Sequence, residues 1–240
     1  MKIALIGYGK MGQTIENIAV SRGHQVVAKS TSAHPIEEID FSNVDIAIEF
    51  TKPDIAVKHI EYCVGRNIPV VVGTTAWDEK LSYVQKLITE KNGSMLHASN
   101  FSIGVNIFFD INQRLSKLMK GYPEYKASIQ EIHHLEKLDA PSGTAISLAN
   151  GIMFENDNIT SWIHEENDRP ETKSNQISVT SFREKGVPGT HVVDYKSDVD
   201  TIELKHIAHN RKGFALGAVI AAEWLADKKG VFTMQDVIKL

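Results

Sequence analysis

From Lys2 to about Lys91 short apolar runs alternate with stretches of helical length. Ile3-Ala4-Leu5-Ile6, Gln25 to Ala28, Ile46-Ala47-Ile48 and Val70-Val71-Val72 read as strands, with helices over Gln13 to Arg22, Ile55 to Arg66 and Asp78 to Lys91. A strand covered by helices on both faces has to be apolar toward both, which is why these runs are continuous instead of alternating. The pattern predicts a Rossmann-type, doubly wound parallel α/β sheet with right-handed crossovers.

Beyond Asn100 the texture changes. Phe101 to Met119 is amphipathic, with Val105, Phe108, Phe109, Leu115 and Leu118 near helical spacing. Ser178 to Phe182, His191 to Tyr195 and Thr201 to Ile207 then alternate apolar with polar residues, a period of two that predicts a second α+β domain with a mixed, open sheet. Glu155 to Ser174, rich in Asn, Asp, Glu and Lys, reads as an exposed loop. Helix-forming residues return from Ala215 to Leu225, and Thr233 with Asp236 has the spacing of a capping box. The expected division is residues 1–102 with 212–240 in one domain and 103–211 in the other.

Composition narrows the function classes. The 240 residues are 42% hydrophobic and 23% charged, ordinary for a globular chain, with a net charge of −4 and no basic stripe, so nucleic acid is not an expected partner. Ile3 to Ile6 is too short for the ~7–15-residue core of a signal peptide, and Phe214 to Ala222 stops at Glu223, short of the ~20 residues that span a bilayer. The lone Cys63 excludes an internal disulfide. A cytoplasmic protein without membrane partners is expected.

Gly7-Tyr8-Gly9-Lys10-Met11-Gly12 is a G-x-G-x-x-G between a strand and a helix, the context in which the motif binds a dinucleotide. The first glycine allows the tight turn, the second lets backbone approach a pyrophosphate, and the third lets helix pack on strand. Phe50-Thr51 and Gly73-Thr74-Thr75 follow strands and fall on the same cofactor side of the sheet. After Ala28 comes Lys29-Ser30-Thr31, with no carboxylate to select a ribose 2′-hydroxyl, while Glu37 and Glu38 follow Pro35, too late to reach it. NADPH, received by Lys29, is expected to be favoured, with NADH also used.

The run from Glu131 to Thr144 carries the second candidate site. A strand reaches His133, Lys137 follows, and Pro141-Ser142-Gly143 starts a helix whose first amides, at Gly143 and Thr144, form an anion site. Anion anchors beside a titratable imidazole suit a small dicarboxylate that must gain a proton. No metal is expected, since His133 and His134, adjacent on a strand, point to opposite faces and no third ligand lies at helical spacing.

Gly7 to Gly12, Glu49-Phe50-Thr51, Gly73 to Thr75, Ala98-Ser99-Asn100-Phe101-Ser102 and His133 to Thr144 occur in an order that resembles the dihydrodipicolinate (4-hydroxy-tetrahydrodipicolinate) reductase family of lysine biosynthesis. The resemblance implies His133 as proton donor or acceptor and Lys137 as a second proton donor that also holds a carboxylate. It implies that His134, Gly143 and Thr144 bind substrate, and that Gly7, Tyr8, Gly9, Lys10, Met11, Gly12, Gly73, Thr74, Thr75, Ala98, Ser99, Asn100 and Phe101 contact the nicotinamide cofactor. It further implies a homotetramer assembled through the sheets of the second domain. Another two-domain amino-acid oxidoreductase and a non-catalytic cofactor sensor are the alternatives left open here.

Overall fold

The computed structural model describes residues 1–168, 171–210 and 212–238. The chain divides into two compact units, Met1–Ile103 with Lys212–Leu240, and Gly104–Arg211. Arg211, where the sequence places a boundary, and Arg169 and Pro170 of the expected loop lie outside the described residues.

The first unit begins with β1 (Lys2–Ile6), α1 (Lys10–Ser21), β2 (Gln25–Ser30), β3 (Ile46–Glu49), α2 (Pro53–Val64), β4 (Val70–Val72), α3 (Leu81–Glu90) and β5 (Ser94–His97). The second unit takes up α4 (Ile103–Met119), β6 (Lys126–His133), α5 (Gly143–Glu155), β7 (Ser161–Glu166), β8 (Gln176–Arg183), β9 (Gly189–Lys196) and β10 (Thr201–Ala208). The chain then returns to the first with α6 (Lys212–Leu225), β11 (Gly230–Phe232) and α7 (Met234–Ile238).

The first sheet has six parallel strands in the order β11-β5-β4-β3-β1-β2. Strand order reverses between β1 and β3, and in open α/β sheets that is where ligands bind, outside the carboxyl ends of the strands. Every residue of β3 and β4 is buried, because cores lie on both faces: Ala56, Ile60, Val84 and Ile88 of α2 and α3 on one, Ile15 and Ala19 of α1 with Ala215, Ala218 and Ala222 of α6 on the other. Small residues let α6 lie close. A Cβ at Gly217 would stand 1.7 Å from the Phe101 carbonyl oxygen, so only glycine fits. β5 and β11, three or four residues each, are too short to announce themselves by periodicity.

The second sheet is mixed, in the order β10-β9-β6-β8-β7, with β10, β9 and β6 antiparallel and β6, β8 and β7 parallel. The segment expected as an exposed loop contains β7, whose Ser-Trp-Ile-His-Glu-Glu sequence pairs with β8 alone. An edge strand tolerates this polarity because one side of its ladder faces no partner strand, and the composition therefore read as loop. The helix α5 packs Ala145, Leu148, Ala149 and Ile152 over Ile129, Ile177, Val179 and Val193 of the sheet. No helix among the described residues is long and apolar enough to cross a membrane.

Candidate active site

The glycine-rich turn links β1 to α1. Gly7 has φ +94°, and a Cβ there would lie 2.0 Å from the Phe50 carbonyl oxygen; a Cβ at Gly12 would lie 2.6 Å from the Gly7 carbonyl oxygen. Gly9, by contrast, would place its Cβ in open space, with nothing within 4 Å. Two glycines thus close the turn against its neighbours, and the third leaves bare backbone at the N-cap of α1, the cradle a pyrophosphate requires. The helix begins at Lys10, three residues before the periodic run that announced it.

A cleft of about 540 Å³ opens there, lined by Gly7, Tyr8 and Gly9, by Ser30 at the end of β2 with Thr31 and Ser32 after it, and by Phe50, Thr51 and Lys52 after β3. Pro35, Ile36 and Glu37, with Asp54, Ile55, Lys58 and His59 of α2, complete it. Lys10, Met11, Gly12, Gly73, Thr74, Thr75, Ala98, Ser99, Asn100 and Phe101 do not line this cleft. Gly73 to Thr75 and Ala98 to Phe101 follow the carboxyl ends of β4 and β5, farther along the same edge. Thr74 Oγ1 accepts a 2.7 Å hydrogen bond from the Thr51 amide, and Phe50 packs on Phe101 with ring centroids 5.7 Å apart.

Two expectations at the ribose end need correction. β2 continues to Ser30, so Lys29 is a strand residue; its ammonium stands 2.6 Å from Glu16 of α1 and 4.4 Å from the centre of the Tyr8 ring, and it is absent from the cleft lining. The hydrogen bond between them lowers the Glu16 carboxyl and raises the Lys29 ammonium from their ordinary values. Glu37, expected to fall too late, lines the cleft, because the turn after Pro35 folds back; its carboxylate is paired with Lys58 at 2.6 Å.

In the second unit three adjacent strands share one pattern. On one face β6 presents Ile129, Glu131 and His133, β8 presents Val179, Ser181 and Arg183, and β9 presents Val193, His191 and Gly189. Register sets Glu131 opposite both Ser181 and His191, so the apolar core beneath α5 gives way to a row of polar groups at the same level on every strand. Glu131 is wholly buried. Its Oε1 accepts from Ser181 Oγ at 2.6 Å, from the Ser142 amide at 3.2 Å and from Arg183 Nη1 at 3.3 Å, and its Oε2 lies 2.5 Å from His133 Nδ1. Burial alone would raise this carboxyl; the bonds from His133, Ser181 and Ser142 and the charge of His133 hold it well below the carboxylate range. His191 stacks edge-on against His133 at 5.1 Å, and its Nε2 is 3.0 Å from Ser142 Oγ. Burial, then the neighbouring His133 charge, pushes His191 down to about 3.

Ser142 caps α5 by accepting from the Ala145 amide, and Gly143, the first residue of the helix, faces open space. Lys137 donates to Asp139 at 2.6 Å, and His134 Nδ1 lies 2.9 Å from Glu136. His133, Lys137 and the start of α5 therefore belong to one constellation, while His134 turns toward the more open side of the loop. Glu131, His133 and His191 each bring one ligand-type atom within 4.8 Å of the others. The third member comes from a neighbouring strand, a source that helical spacing does not reveal; Glu131 Oε1 is taken by Ser181, Ser142 and Arg183, while Oε2 stands at ion-pair distance from His133 Nδ1. Glu131, Ser181, Arg183 and His191 are the site residues that the sequence reading passes over; only Glu131, two positions before His133 on the same strand face, carried a local signal.

Known proteins resemble this chain over nearly its whole length. A relative from Christiangramia forsetii named 4-hydroxy-tetrahydrodipicolinate reductase is 46% identical over 99% of this chain and 98% of its own, and one of the same name from Thermosipho africanus is 33% identical over 100% and 98%. The solved structure described as dipicolinate-bound dihydrodipicolinate reductase from a Paenisporosarcina species superposes with a TM-score of 0.75 at 24% identity, covering 97% of each chain, a likeness of fold. The family descriptions "Dihydrodipicolinate reductase, N-terminus" and "Dihydrodipicolinate reductase, C-terminus" match residues 1–101 and 104–238. With nearly the whole length matched by both halves, the chain belongs to the dihydrodipicolinate reductase family.

Proposed function

We propose that the chain is an NAD(P)H-dependent reductase of 4-hydroxy-tetrahydrodipicolinate: the 4-hydroxyl leaves as water and the ring takes up one hydride and one proton, forming tetrahydrodipicolinate in the route to diaminopimelate and lysine. The observation that carries the chemistry is the imidazole of His133, pinned by a buried carboxylate beside a helix start and a lysine. A reduced nicotinamide supplies a hydride when bound. The residues of the first unit serve its binding: bare backbone at Gly9 for the pyrophosphate, the hydroxyls of Ser30, Thr31 and Ser32 for the ribose, and Phe50 with Gly73 to Thr75 and Ala98 to Phe101 along the strand ends. In the second unit the Gly143 and Thr144 amides and the Lys137 ammonium, exchanging Asp139 for a substrate carboxylate, orient the dicarboxylate ring, with His134 at its margin. His133 gives a proton to the electron-rich ring as the hydride arrives. The roles thus divide as dinucleotide binding for residues 1–102 with 212–240 and substrate binding for 103–211.

NADPH is favoured and NADH accepted: Lys52 and Lys58 line the cleft with the hydroxyls of Ser30, Thr31, Ser32 and Thr51, and of its two acids, Glu37 and Asp54, Glu37 is paired with Lys58. Lys58→Ala should lower the NADPH-to-NADH ratio of kcat/KM several-fold, since a lone lysine acts as a point charge; an unchanged ratio removes it from selection. Assembly is a homotetramer through the second sheet, a reading supported by Ile202 and Ile207 standing exposed on β10 and tested by sedimentation equilibrium. Buried, unpaired Cys63 suits the reducing cytoplasm.

The deciding experiment couples the enzyme to the synthase that makes its unstable substrate and follows nicotinamide absorbance. His133→Gln should lower kcat about 10²–10⁴-fold while leaving NADPH affinity near the parent value. A kcat close to that of the parent overturns the assignment.

A further inference from the structure

Glu131 does more than neutralise a neighbour. The same carboxylate touches the imidazole through Oε2 and, through Oε1, the amide of Ser142 at the head of α5. It also holds Arg183, whose remaining donors reach forward to the loop: Nε to the Lys137 carbonyl at 3.3 Å and Nη2 to the Asp139 carbonyl at 2.8 Å. The backbone of His133 is fixed as well, its carbonyl accepting a 2.8 Å hydrogen bond from the Glu184 amide. The other nitrogen of the ring stands over Gly189, where a Cβ would approach Nε2 to 3.0 Å, so the missing side chain keeps that side of the imidazole clear.

We propose that Glu131 is the positioning residue of the reaction: it holds His133 with Nδ1–H turned inward and Nε2 presented to substrate, and it keeps the α5 anchor and, through Arg183, the Lys137 loop in register with that nitrogen. This rests on the reading of His133 as proton donor. The charged and titratable groups around the imidazole are Glu131 on its own strand, Arg183 from β8, His191 from β9 and Lys137 from the loop. Of these only Glu131 is an anion, so removing its charge leaves the imidazole with no carboxylate to hold it.

The test compares Glu131→Gln, Glu131→Asp and His133→Gln in kcat and KM across pH, on folded protein with NADPH affinity checked. Glu131→Gln should lose about 10–100-fold in kcat, and the alkaline limb of its kcat profile should move about one pH unit or more toward acid. Substrate KM should rise with it, because the α5 head loses its tie. Glu131→Asp, keeping the charge, should return the limb toward its parent position at reduced kcat. A Glu131→Gln profile superposable on the parent overturns the proposal, whereas a His133→Gln enzyme with parent kcat overturns the proton-donor reading instead. Should the Gln variant fail to fold, ¹⁵N spectra of the histidines in the parent decide: above its titration His133 should be the Nδ1–H tautomer, and an Nε2–H tautomer sinks the proposal.

Discussion

The cleft of the first unit is built from backbone and from side chains that are missing, whereas the cluster of the second is built from ionised groups taken out of water. Around Gly7, Gly9 and Gly12 the decisive quantity is space: a methyl group would strike a carbonyl at two of the positions and nothing at the third. Around Glu131 it is charge balance, since a wholly buried carboxylate survives only because Arg183, His133, Ser181 and the Ser142 amide surround it. A site of the first kind grips a phosphate-bearing ligand by geometry common to many proteins. One of the second kind can place a proton donor, which demands a group of defined ionisation at a defined atom.

The largest effect that tests this contrast comes from breaking the buried pair. Glu131→Ala should cost about 3–5 kcal/mol in denaturant unfolding, because Arg183 is left without its carboxylate, and Arg183→Met added to it should recover part of the loss. A cost below about 1 kcal/mol, the worth of an exposed pair, would show that water already screens the cluster. Next, Gly7→Ala should cost about 3 kcal/mol from clash and left-handed strain and abolish NADPH binding. Gly9→Ala should change stability by no more than about 0.5 kcal/mol yet weaken NADPH by tenfold or more in fluorescence titration. Equal stability losses at the two glycines would dissolve the distinction between turn-closing and ligand-facing positions.

Smaller is Lys137→Ala, which should lower kcat/KM about 10–100-fold, or roughly 1.5–3 kcal/mol, and weaken inhibition by pyridine-2,6-dicarboxylate. Unchanged inhibition would leave the α5 amides as the anchor. The last test leaves stability at neutral pH untouched and concerns His191. Its folded titration lies near 3 against an ordinary value of 6.5, so the unfolded chain binds an extra proton between those limits and stability rises with pH across that window, at up to about 1.4 kcal/mol per pH unit. Its contribution is complete above about pH 6.5 and falls away toward pH 3. His191→Gln should flatten that part of the stability curve. An identical slope in both proteins would mean that His191 is hydrated in the folded state.

The same contrast governs how much the sequence reveals. The cofactor turn is legible because its physics is local: three glycines at fixed spacing, after a strand and before a helix, leave few other structures available. His133, Lys137 and the start of α5 are legible for a similar reason, since a strand, a turn and a helix cap lie within one short run. Ser181, Arg183 and His191 are not, because nothing in their own neighbourhoods says that β8 and β9 flank β6 with Glu131 at the shared level. Lys29 shows the converse error. The sequence pattern ends the second strand at Ala28 and leaves Lys29 free beyond it, whereas Lys29 belongs to β2 and Glu16 of α1 pairs with its ammonium. β7 was lost because an edge strand with charged residues has the composition of a loop, and β5 and β11 because three or four residues carry no measurable period.

The return of the chain to its first unit has a consequence for synthesis. Residues 104–211 emerge from the ribosome ahead of α6 and β11, so the second unit is outside while one face of the first sheet still lacks the Ala215, Ala218 and Ala222 surface that covers Ile3, Leu5, Ile48 and Val71. Domains fold as they emerge, at roughly 5–20 residues per second. For the few seconds that α6 takes to follow, the nascent chain carries a bare apolar sheet, the kind of surface that chaperones bind.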